Sequence, residues 1–142
     1  MDKSLLSRSA EAVSMFCRLN INTKKNLPIR SSEMGMLILI VKTVHPVTPV
    51  MVAEFFKVSK PMVASMTAHL SKEGYIVKVP STEDKRSFTL SPTEKAVKLV
   101  ETTYSEYLKT MQLLADKLGH EKFTSLMDLL EQANEVLIEG NE

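Results

Sequence analysis

A single cysteine, Cys17, stands in the 142 residues, so no intrachain disulfide can form and a reducing compartment suits the chain. Glycine is also scarce, with four in all. There is no phosphate-cradling glycine loop, no His-Glu-x-x-His and no cysteine pair, and His45, His69 and His120 lie scattered. No enzyme chemistry, metal site or cofactor is expected from such a set. The longest apolar run, Met34 to Val41 with Gly35 inside it, is eight residues, whereas a bilayer needs roughly 20. No membrane span is expected. The opening Met1-Asp2-Lys3-Ser4 continues into polar and charged residues without the apolar core of a secretory signal, so the expected location is the cytoplasm.

What is present suits one folded domain. Hydrophobic residues make up 44 % and charged residues 25 %, close to the averages for soluble globular domains, so disordered and collagen-like readings fall away. A chain of this length buries roughly 68–70 % of its unfolded surface and needs no staple. The formal net charge is only +1, but residues 1–56 carry seven Lys/Arg against four Asp/Glu, residues 57–91 six against three, and residues 92–142 five against ten. That polarity is what a nucleic-acid face at one end and an acidic solvated face at the other would produce.

Apolar spacing predicts mostly helix. Leu5, Leu6, Ala12, Val13, Phe16 and Leu19 recur at helical steps. Ser31 or Ser32 can cap a second helix through Met36, Leu37, Ile40, Val41 and Val44, stopped by His45-Pro46. Thr48 followed by Pro49 starts a short third helix ending about Phe56, because threonine can accept an orphan N–H and proline has none to leave unpaired. Ser59 can cap a fourth, running from Lys60 through Val63, Met66 and Leu70 until Gly74. Ala53 and Val63, ten residues apart, suit two helices crossing closely around a tight turn plugged by Val58.

Tyr75 to Val79 and Arg86 to Leu90 read as the strands of a hairpin around Pro80 to Lys85. Ser91 with Glu94 forms a capping-box pattern, with Pro92 at the first helical position of a long helix. Gly119 separates it from a last helix whose stripe is Phe123, Leu126, Met127, Leu130, Ala133 and Leu137. The expected architecture is mainly α: a winged helix-turn-helix of about six helices and a two-stranded wing. Residues 1–30 would supply a dimerisation helix, 31–91 the winged domain, and 92–142 the long helix and a second dimerisation helix.

Three segments carry a family resemblance: Val58-Ser59-Lys60-Pro61-Met62-Val63, then Leu70 to Ile76, then Glu83-Asp84-Lys85-Arg86 with Thr89 to Lys95. Together they resemble the MarR family of bacterial transcription regulators. Its wing carries Asp-x-Arg before a short strand ending in leucine, the places held here by Asp84, Arg86 and Leu90. The resemblance is densest from Pro46 to Lys95 and implies that the helix from Lys60 is a recognition helix and that the wing approaches the minor groove. A helix fits the roughly 12 Å major groove, and its N-terminus favours phosphate.

Ser59, Lys60, Pro61 and Met62 occupy that N-terminal end. With Val63, Met66 and Leu70 turned inward, Met62, Ser65, His69 and Lys72 fall on other faces and become the groove candidates. Arg86 is the residue matched to the wing arginine, with Asp84 to orient it and Lys85 to meet phosphate. Where many relatives carry arginine this chain has Ser65 and His69, so the groove side is less basic.

The resemblance also implies a two-fold dimer through the first and last helices, with Leu5, Phe16, Phe123, Leu126, Leu130 and Leu137 as contacts, and a pseudo-palindromic double-stranded operator with half-sites roughly 34–36 Å apart. It further implies a small aromatic ligand held between dimer helices and winged domain. Met15, Met34, Met36 and Met111 could line such a pocket but read first as core. Some relatives sense peroxide through a first-helix cysteine. Cys17 reads instead as a buried structural thiol, since no cluster of cations or tyrosines surrounds it in sequence. The expected function is a homodimeric, sequence-specific, ligand-responsive repressor. The rival is a winged-helix protein-interaction module that has lost DNA readout.

Overall fold

Capping chemistry sets most element boundaries in this computed structural model, which describes residues 1–22, 27–84 and 86–140. In chain order these are α1 (Lys3–Asn22), α2 (Ser31–Lys42), α3 (Pro49–Phe56), α4 (Lys60–Lys72), β1 (Ile76–Pro80), β2 (Phe88–Pro92), α5 (Glu94–Leu118) and α6 (His120–Gly140). That is the expected winged helix-turn-helix with a helix added at each end. Thr48 Oγ1 accepts the Met51 N–H at 3.2 Å, and Ser59 Oγ accepts the Met62 N–H at 3.3 Å. Lys57, in the left-handed region at φ 54°, makes the tight turn between α3 and α4. Gly74, at φ +80°, releases the chain from α4 into the wing, a conformation strained for any residue with a Cβ.

Two helix starts differ from expectation. α2 begins on Arg30 rather than on a serine cap, because the Glu33 carboxylate reaches back to accept the Arg30 N–H at 3.0 Å. α5 begins on Thr93 rather than on Ser91 and Pro92, because Ser91 pairs with Val77 and Pro92 with Ile76 as the last rungs of the antiparallel ladder. Thr93 is tied through side chain and backbone: its Oγ1 accepts the Ala96 N–H at 3.3 Å and donates to the Gly74 carbonyl at 2.7 Å, with the Tyr75 carbonyl at 3.1 Å, and its N–H donates to the Tyr75 carbonyl at 3.0 Å. The strands accordingly start later than the apolar pattern suggests, at Ile76 and Phe88.

One core gathers α2, α3, α4, the wing and the first turns of α5. Met34, Met36, Leu37, Val52 and Leu70 are wholly buried, with Val63, Ile76, Leu90 and Val100 against them. Val47 bridges to Leu90, whose N–H donates to the Val47 carbonyl at 2.8 Å, so the wing is stitched to the helix-turn-helix. The terminal helices stand apart from this core. No side chain of α1 from Lys3 to Leu19 is buried, and none of α6 is. Cys17 is therefore exposed, which corrects the expectation of a buried thiol: from Lys3 to Leu19 α1 sends nothing into the intrachain core. Among the described residues no helix is long and apolar enough to cross a membrane.

Candidate nucleic-acid interface

The sequence of α4 divides it lengthwise. Val63, Met66 and Leu70 face the core together with Thr67, which spacing alone also places there, one turn from Val63. Ser59, Lys60, Pro61, Met62, Ser65 and Lys72 are exposed. At the helix start, Pro61 has no N–H and the Met62 N–H is held by Ser59. That leaves the Lys60 N–H as the first-turn donor able to meet phosphate, beside the Lys60 ammonium. The anion site is narrower than a bare helix terminus would give.

His69 departs from the simple picture of a groove-facing side chain. Its Nδ1 lies 2.5 Å from Oε2 of Glu33, a residue 36 positions away at the start of α2. Its Nε2 lies 3.9 Å from Oε1 of Glu73. The ring sits at the edge of a cleft of about 420 Å³ between α2 and α4, shared with Arg30, Ser32, Glu33, Met62, Ser65 and Met66. Glu33 is the site residue that sequence reasoning missed. An acid inserted beside the apolar stretch Met34 to Val41 was the available signal, but its partner on α4 is set only by tertiary packing.

The wing tip is built on two side chains. Ser81 Oγ accepts the N–H groups of Glu83 and Asp84 at 3.3 and 3.4 Å. Asp84 accepts the Arg86 backbone N–H on Oδ1 at 2.9 Å and the Ser87 hydroxyl on Oδ2 at 3.3 Å. Asp84 thus shapes the backbone that carries Arg86 rather than gripping its guanidinium, and Arg86 is exposed. Lys85 lies outside the described residues. Further back, Lys78 Nζ lies 4.9 Å from the centre of the Phe88 ring across the ladder.

Of the residues expected at a subunit contact, Leu5, Phe16, Leu130 and Leu137 are exposed, while Phe123 and Leu126 are half-buried. Met34 and Met36 belong to the core, Met111 is half-buried and Met15 is exposed. A separate cleft of about 270 Å³ opens between α2 and α3, walled by Leu39, Thr43, His45, Val47, Met51 and Phe55. Among the described residues no group of three or more His, Cys, Asp or Glu side chains could hold a metal ion.

Residues 35–88 match the model of the MarR family. A search of curated proteins finds no match. Among solved structures, a MarR protein from Peptoclostridium difficile is 22 % identical with a TM-score of 0.77, covering 96 % of this chain and 89 % of that one. FabT of Streptococcus pneumoniae, solved in complex with DNA, is 21 % identical with a TM-score of 0.75, covering 96 % and 94 %. MepR, a transcription regulator of the Staphylococcus aureus multidrug efflux pump MepA, is 19 % identical with a TM-score of 0.69, covering 96 % and 99 %. The shared fold extends over α1 and α6 as well as the winged segment.

Proposed function

We propose that this chain, a member of the MarR family by its residues 35–88, is a homodimeric, sequence-specific double-stranded DNA-binding regulator that represses transcription in the cytoplasm and responds to a small ligand. One observation carries the reading: α4 is buried along one stripe and bare along the other, with Ser59, Lys60, Met62 and Ser65 exposed at its start. A helix so mounted can enter a major groove while the wing reaches the neighbouring minor groove with Arg86, Lys85 meeting phosphate. FabT, of like fold, is solved with DNA, which supports the same use of this surface.

The division of labour follows the chain: residues 1–30 and 92–142 pair two subunits, and 31–91 read DNA. The apolar cleft between α2 and α3 suits a small aromatic effector that shifts the spacing of the two α4 helices. Selection of bound fragments from random duplexes, followed by footprinting, tests the reading. The expected product is a pseudo-palindrome with half-sites one helical turn apart. No enrichment at moderate salt would favour the protein-interaction module instead.

Within that site, Arg86→Ala is expected to weaken operator binding by roughly 1–3 kcal/mol, the range of a good groove contact. Anisotropy titration of the selected operator measures it. Unchanged binding would remove Arg86 from the interface.

A further inference from the structure

Glu33 is only 2 % exposed, and a carboxylate buried this deeply needs donors on both oxygens. Oε1 accepts the Arg30 N–H at 3.0 Å. Oε2 faces Nδ1 of His69 at 2.5 Å. With Glu33 ionised, Oε2 can only accept, which puts the hydrogen on Nδ1. In the neutral ring Nε2 is then left as an acceptor. It stands 3.9 Å from Glu73, beyond hydrogen-bond distance, on a side chain that is 43 % exposed. The charged groups around the ring are Glu33 from α2, Glu73 from the end of α4, and Arg30 across the shared cleft.

We propose that Glu33 is a positioning residue that fixes the tautomer of His69 and thereby which base edge His69 reads. The inference rests on the DNA-binding reading of α4. An acceptor in the major groove meets donors only at the amino groups of adenine N6 and cytosine N4, whereas a donor would pair with the N7 of either purine, with guanine O6 or with thymine O4, and finds nothing on cytosine. His69 therefore selects an amino-bearing base at one position of each half-site, and Glu33 sets that choice without touching DNA. A purely structural strap between α2 and α4 would affect stability but not the identity of one base.

The test compares selected sequences for the wild type, His69→Ala and Glu33→Leu at about pH 8.5. The wild type is expected to prefer adenine or cytosine at one position by about fivefold, what one net hydrogen bond supplies. Both variants should lose that preference while other positions keep theirs. A wild-type preference that survives either substitution overturns the inference alone. A wild type that enriches no sequence overturns the DNA-binding reading with it. Nitrogen NMR of the His69 ring in the wild-type protein gives a second readout that does not depend on any variant folding. The hydrogen is expected on Nδ1 in the neutral ring, and finding it on Nε2 overturns the proposal.

Discussion

Glutamate at both Leu130 and Leu137 is expected to yield a folded monomer whose operator affinity is about 10²–10⁴-fold weaker than the wild type's, the advantage that linking two binding modules confers. α6 is a 21-residue helix with no buried side chain. Leu130 and Leu137 lie seven residues apart on one face and are exposed, as are Leu5 and Phe16 on α1. Phe123 and Leu126 are half-buried, but Leu130 and Leu137 further along the stripe meet water, and a helix owes most of its stability to packing of such a face. A second copy is the symmetric solution, and it would set two α4 helices on one duplex. The variant should remain folded because the buried core runs from Ile29 to Val100 and takes nothing from α6. Sedimentation gives the subunit count and anisotropy the affinity. A variant that stays dimeric with full affinity would place the subunit contact elsewhere.

Leu70→Ala is expected to destabilise the winged domain by about 2–5 kcal/mol, the usual cost of removing a large buried aliphatic side chain and leaving part of its cavity. Leu70 is wholly buried, and its carbonyl accepts the Tyr75 N–H at 2.9 Å where α4 turns into the wing. Losing the side chain therefore loosens both the recognition helix and the hinge to β1. Chemical denaturation followed by helicity measures the loss. A shift below about 1 kcal/mol, typical of surface sites, would mean that α4 is not anchored through this residue.

Where local chemistry decides structure, the sequence is legible. Thr48 before Pro49 and Ser59 before Lys60 start helices because their hydroxyls can reach an orphan N–H three residues on, and both do. The stripe Val63, Met66 and Leu70 likewise follows from spacing alone. Where two local rules compete, the sequence misleads. Ser91, Pro92 and Glu94 satisfy the pattern of a helix start, but pairing with Val77 and Ile76 claims Ser91 and Pro92 for the strand, and the cap moves to Thr93. The His69–Glu33 contact spans 36 residues, and no periodic signal connects its two ends. Cys17 illustrates a third limit: an amphipathic helix reads as core-facing whether its partner lies in the same chain or not, and here its own chain leaves it exposed.

The distance between the two recognition helices tests the whole arrangement most directly. With Cys17→Ser removing the native thiol and Lys60→Cys carrying a spin label, pulsed electron resonance on the protein in solution reads that separation between subunits. One dominant population at roughly 34–36 Å is expected, one turn of duplex between two helices presented on a common face. A monomer without intersubunit coupling, or a pair of labels on opposite sides of the assembly, would contradict it.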